Sequence, residues 1–163
     1  ALLQQQRAGE MQQQLAAARG HVPEMALVKP SFGNLLLWRA VYLHDGHFHV
    51  DALYAGPGEN RIYTGSTVAR IDAQRDFPDI DRDSTLANDI RRFEFFSDSY
   101  LAFDPAQDTI LGDVRYAMSP DSVRPLWGIE LNREQPQQHV ALRFFREQSA
   151  AERQRFLDML VGR

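Results

Sequence analysis

The sequence predicts an α+β fold, an antiparallel sheet built from about three β-hairpins with an N-terminal, a middle and a C-terminal helix packed on it. Three observations carry this. Asp45-Gly46 lies between two apolar, β-branched and aromatic runs, the pattern of a two-residue type I′ hairpin turn. Two further pairs of short apolar runs follow, about a turn apart. Capping residues then mark helices, with Ser84 or Asp83 before about Thr85 to Ser97 and a Ser149-Ala150-Ala151-Glu152 capping box near the C-terminus.

In chain order, Ala1 to Gly20 reads as a helix rich in Ala, Gln and Leu, with Ala8, Met11, Leu15 and Ala18 as a narrow apolar stripe. Gly20 and Pro23 end it. Residues 1–21 read as a helical connector and residues 22–163 as a single domain. Glu24 to Lys29 suits a short strand, and Ser31 to Asn34 is turn chemistry. The Asp45-Gly46 turn sets His44 opposite His47, Tyr42 opposite His49, Ala40 opposite Asp51 and Trp38 opposite Leu53.

Alternation puts Leu35, Leu37, Val41 and Leu43 with Phe48, Val50, Ala52 and Tyr54 on one core face. Arg39 is the one charged residue on that face. After an AGPGEN loop, Arg61 to Ile71 reads as a strand that Gly65 weakens. The middle helix turns Leu86, Ile90, Phe93 and Phe96 or Ser97 inward. Tyr100 to Phe103 with Thr109 to Tyr116, and Leu126 to Leu131 with His139 to Phe145, make the later hairpins. Phe156, Leu157 and Leu160 form the inward stripe of the last helix.

Composition excludes several functions. The 163 residues are 44% hydrophobic and 25% charged, globular values with enough chain for a core. The net charge of −4 argues against a nucleic-acid partner. The absence of cysteine excludes disulfides, thiolate zinc sites and a cysteine nucleophile. No stretch is long and apolar enough to span a bilayer. The start on Ala1, inside a helix, reads as a piece cut from a longer chain.

Two clusters carry candidate chemistry. His44, His47 and His49 share a face at the hairpin tip, with Asp51 one step along, so that imidazoles converging there would suit a divalent metal. A buried Arg39 needs a counter-charge or several carbonyls. Asp113 is its first candidate partner, Arg115 alternates onto the same face as Asp113, and Asn34 is placed to cap the same network. The Asp79-to-Ser84 stretch opens like a calcium loop, but Ser84 and Ile90 stand where Gly and Glu are required. It reads as an acidic lead-in to a helix N-terminus. Lys29 is the sole lysine, and His21 and His139 stand alone.

Pro30-Ser31-Phe32-Gly33-Asn34-Leu35-Leu36-Leu37-Trp38-Arg39, Asp45-Gly46, Phe96-Ser97-Asp98-Ser99-Tyr100 and Asp113-Val114-Arg115-Tyr116 together resemble the YdjM-like family of bacterial inner-membrane proteins. That family is labelled membrane-bound metal-dependent hydrolases. The resemblance covers roughly Val22 to Leu131, the family's soluble C-terminal portion. It implies an extramembrane domain at the bacterial inner membrane, on a side it does not specify. Attachment would run through an N-terminal transmembrane region absent here, and a divalent metal would belong to the full-length protein. The histidine motifs behind the hydrolase label lie in that membrane half, so no catalytic residue transfers onto this chain. The leading expectation is an accessory domain that binds a ligand or partner, or covers the membrane-embedded site. Two alternatives stand beside it: a hydrolase working through the tip histidines, and a structural or homo-oligomerising module presenting the Trp38 face.

Overall fold

In the computed structural model, which describes residues 2–163, eight strands divide into two four-stranded antiparallel sheets. The first comprises β1 (Met25–Pro30), β2 (Leu37–His44), β3 (His47–Gly56) and β4 (Glu59–Ala69), in that order. The second comprises β5 (Leu101–Asp104), β6 (Gln107–Asp113), β7 (Trp127–Glu130) and β8 (Ala141–Phe144). The helices are α1 (Leu2–Ala18), α2 (Thr85–Phe96) and α3 (Ala150–Leu160). The expected α+β class holds, with the hairpins sorted into two sheets rather than one.

The first hairpin has the expected register throughout, His44 opposite His47 and Trp38 opposite Leu53. Asp45 and Gly46 both have positive φ, as a type I′ turn demands. The AGPGEN stretch is tighter than the loop expected of it. Gly56 pairs with Glu59 across Pro57-Gly58, and the strands run to the turn itself. Gly58, at φ +74°, supplies the left-handed residue this requires.

Both faces of β2 are buried, and a different layer covers each. On the Trp38 face, Ala8 and Met11 of α1 pack against Trp38, Ala40, Leu53 and Ala55. The inward stripe of α1 therefore differs from the one expected: Gln12 and Ala16 are buried, while Ala18 is exposed. Gln12 is tolerated there because its amide donates to the Leu27 and Val41 carbonyls. On the Arg39 face, Val41, Leu43, Phe48 and Val50 meet Ala102 of the second sheet and Tyr100 and Val114, which flank its strands β5 and β6. The far face of that sheet packs Leu101, Leu111 and Ile129 on Leu86, Ile90 and Phe93 of α2. The stacking order is thus α1, first sheet, second sheet, α2.

Ser84 caps α2 by accepting from the Ala87 N–H, and Ser97, not Phe96, closes its buried stripe. The capping box of α3 forms as expected. Its buried side chain is Met159, which packs on Leu37 and Ala52, while Leu157 faces solvent. The Arg39 face is therefore roofed twice, by the second sheet near the hairpin tip and by α3 at the opposite end. Arg39 sits on the seam.

Gly65 in β4 is required by a close approach. A Cβ there would lie 2.2 Å from the Val50 carbonyl oxygen and 2.4 Å from that of Asp121. It faces the bulge between His49 and Asp51 and admits the loop that follows β6. Gly65→Ala is expected to destabilise the fold by about 1–3 kcal/mol, measured as a lowered urea midpoint at unchanged m-value.

Candidate functional site

The seam over Arg39 encloses a cavity of about 250 Å³. Its walls come from β1 (Lys29, Pro30), the β1–β2 turn (Ser31, Phe32), Arg39 of β2, the segment after β6 (Arg115, Tyr116, Ala117, Met118, Pro120) and Phe156 of α3. The lining holds three cationic side chains and neither carboxylate nor imidazole. The rest is mainly apolar.

Local sequence explains how these groups arrive. Pro30 ends β1, an edge strand, where the missing N–H costs nothing. Gly33 takes φ +66°, and the Asn34 side-chain oxygen accepts from the Leu36 and Leu37 N–H groups, closing the turn into β2. Asn34 therefore caps the turn and does not reach Arg39, contrary to expectation. Trp38 turns toward α1 and donates from Nε1 to the Leu35 carbonyl at 2.9 Å. Its neighbour Arg39 then points the opposite way, into the seam.

Arg39 is 4% exposed and, among the described residues, has no carboxylate partner. Nε and Nη2 donate to the Val114 carbonyl at 3.2 and 2.7 Å. Nη1 donates to the carbonyls of Pro120 at 3.0 Å and Ser122 at 2.7 Å, with Ser119 at 3.5 Å. Asp113, the expected counter-charge, instead holds Arg115 through both carboxylate oxygens, at 3.0 and 2.8 Å. The reason is local: β6 ends at Asp113, and the turn that follows folds Arg115 back onto it, with the Arg115 N–H also donating to Asp113 Oδ1 at 3.1 Å. Burial pushes the Arg39 guanidinium down to about 10, with Asp121 and Asp113 only partly opposing this from a distance.

Lys29 was missed as a site residue. It stands directly opposite Arg39 in the β1–β2 register, so two cations share one face of the sheet. Like charges so placed repel. Nζ donates to the Tyr116 hydroxyl at 3.1 Å, and among the described residues no carboxylate pairs with it. Tyr116 in turn packs against Trp127 at a 36° tilt, ring centroids 4.5 Å apart. Arg115 is neutralised by Asp113 and Asp98, whose bonds hold its guanidinium above its ordinary range, the Asp113 bond contributing most. The charge left facing the cavity is that of Lys29 and Arg39. The available sequence signal was a sole lysine on the strand preceding a buried arginine.

The tip histidines do not form the expected metal site. Among the described residues no group of three or more His, Asp or Glu side chains is arranged to hold a metal ion. Asp51 is buried and bound by Arg19 through both Nη atoms, at 2.8 and 2.9 Å, and it also accepts from the Gly65 N–H. His47 is exposed, with Nδ1 3.0 Å from the Asp45 carbonyl. His44 instead stacks on His21, which was read as solitary, with centroids 4.2 Å apart. His21 also lies 2.8 Å from the Tyr42 hydroxyl, and His49 stacks on Tyr42. Stacked rings present faces to one another, not converging nitrogens. The cluster clamps the end of α1 to the hairpin tip.

His139 is not solitary either. Its Nδ1 lies 2.9 Å from Asp89, a buried residue of α2 that also accepts from the Val140 N–H. This pair orients an imidazole, but the shallow surface around it offers Arg92, Phe93, Phe96, Ile129 and Val140, with no hydroxyl. Asp79 pairs with Arg133, as an acidic helix lead-in would allow.

Compared with known proteins, the chain matches no family model, no curated protein and no solved structure.

Arg39→Ala is expected to cost about 3–5 kcal/mol, because it strands the Val114, Pro120 and Ser122 carbonyls in the seam; equilibrium denaturation measures this. His21 and His49 are held below the usual imidazole range, by desolvation first. His44 and then Arg19 lower His21 further, and His21 and Arg19 lower His49, with Asp51 pulling the other way. Their folded pKa values lie below the unfolded value of about 6.5. The unfolded chain therefore binds more protons, and stability, complete above that pH, falls as the pH drops through the folded values. A flatter slope between pH 7.5 and 5 is expected for His49→Gln, read from denaturant midpoints.

Proposed function

We propose that this chain is an accessory, anion-binding domain of a membrane-bound metal-dependent hydrolase, seated outside the bilayer. One observation carries the reading. Lys29 and Arg39 stand side by side on a cavity whose lining supplies no carboxylate to offset them. A buried guanidinium without a counter-ion is costly, and a bound anion is the group that relieves it. The lining also lacks an imidazole or carboxylate to serve as general base or metal ligand, which favours holding a ligand over transforming it.

The resemblance supplies the membrane half of the proposal. The two stretches that carry most of it, Pro30 to Arg39 and Asp113 to Tyr116, meet at this cavity: Pro30, Arg39, Arg115 and Tyr116 all line it. No described helix is long and apolar enough to cross a membrane, so the proposed attachment would run through a segment outside this sequence.

Acetate and inorganic phosphate are the simplest probes. Either, at 100 times its dissociation constant, is expected to stabilise the protein by about 2.7 kcal/mol, with the effect lost in Lys29→Gln. Thermal unfolding against anion concentration measures this. Zinc-dependent turnover of phosphoester or carboxylic ester substrates by this chain, abolished by His44→Ala or His49→Ala, would instead make it the hydrolase.

A further inference from the structure

Resting on the anion-binding reading, we propose that the ligand is an amphipathic monocarboxylate, its carboxylate between Lys29 and Arg39 and its apolar tail against Phe32, Met118 and Phe156. Donor capacity, wall chemistry and volume each point this way.

Donor capacity comes first. A guanidinium has five N–H bonds. Arg39 directs Nε, one Nη2 hydrogen and both Nη1 hydrogens at carbonyls of the 114–122 segment, leaving one Nη2 hydrogen. An ammonium has three, and Lys29 gives one to Tyr116. Arg115 has its guanidinium on Asp113, Asp98 and the Phe96 carbonyl. The Ser31 hydroxyl, also in the lining, has no partner among the described residues. Three N–H bonds and one hydroxyl match the two oxygens of a carboxylate, which together take about four hydrogen bonds. They fall short of a phosphate monoester, with three strong acceptor oxygens and up to about two negative charges.

The remaining walls are Pro30, Phe32, Ala117, Met118, Pro120 and Phe156, which reward an apolar tail and offer a second charged group nothing. Methionine and aromatic surfaces adapt to tails of differing shape. At about 250 Å³ and open on one side to solvent, the cavity suits a carboxylate on a short to medium acyl chain or a single aryl ring. Phe156 lies on α3, whose one fully buried side chain is Met159, so the tail-contacting wall belongs to the helix with the fewest buried side chains.

Calorimetric titration of this chain with acetate, butanoate, hexanoate, octanoate and decanoate tests the assignment, with octyl phosphate, octanol and inorganic phosphate alongside. Affinity is expected to rise about four-fold per methylene until the cavity fills near octanoate. Octyl phosphate should bind no tighter than octanoate. Lys29→Gln should weaken octanoate binding ten-fold or more and leave octanol unchanged. Phe156→Ala should reduce the gain per methylene, with acetate unaffected. If acetate or phosphate binds as tightly as octanoate, the tail assignment fails while the anion-binding reading stands. Octyl phosphate binding ten-fold tighter than octanoate overturns the carboxylate headgroup alone. If octanol matches octanoate, or no anion binds, both readings fall.

Discussion

A single guanidinium, Arg39, tethers the two sheets to each other. It leaves the first sheet from the middle of β2 and gathers the carbonyls of Val114, Pro120 and Ser122 from the segment that follows the second sheet's β6. Those of Val114 and Pro120 would otherwise be buried acceptors without a donor. The same contact decides where the 114–122 segment lies, and hence where Arg115, Tyr116 and Met118 stand. Gly65 makes the arrangement possible from the far side, because a side chain there would collide with the Asp121 carbonyl.

Satisfying an arginine with carbonyls is physically different from satisfying it with a carboxylate. The hydrogen bonds are made but the charge is not cancelled. Asp113, on hand to cancel it, is occupied by Arg115. Lys29 then adds a second uncompensated charge directly across the strand pair. Such a pair lowers stability unless something negative offsets it. The cavity lined by these cations is thus a place where folding leaves a local electrostatic demand unmet.

The two ends of the central hairpin do different jobs. At the Asp45-Gly46 end, the Arg19–Asp51 ion pair, His21, Tyr42, His44 and His49 knit the end of α1 to the sheet. These polar groups consume one another's hydrogen-bonding and stacking capacity, which is why a cluster with ligand-like composition acts as a clamp. At the opposite end, α3 closes over Leu37 and Ala52 through Met159, and Lys29 and Arg39 beside it pair with no carboxylate among the described residues. Composition alone does not separate a saturated cluster from an open one. Which carboxylates reach which cations does.

Much of what is set by neighbours in the chain was legible from the sequence, though the tight Pro57-Gly58 turn, the Asn34 turn cap and the Asp113–Arg115 pair were not. The Asp45-Gly46 turn dictates the first hairpin's register, Ser84 and the Ser149–Glu152 box start their helices, and period-two alternation places Arg39 on a core face. These are short-range effects of φ preference, capping and pleat. What Arg39 would grip was not legible, because its partners lie 75 to 83 residues away in a loop held by Gly65. Nor was the saturation of Asp51 by Arg19, the pairing of His139 with Asp89, or the use of Met159 rather than Leu157 to seat α3. The opposition of Lys29 and Arg39 lay between the two cases, since it needed only the pairing of β1 with β2, but its meaning depended on the absence of a carboxylate from the cavity walls. Local sequence determined the elements and the direction in which each side chain leaves its strand. Tertiary packing alone decided which charges met, because that is settled by distances between segments that no nearest-neighbour rule connects.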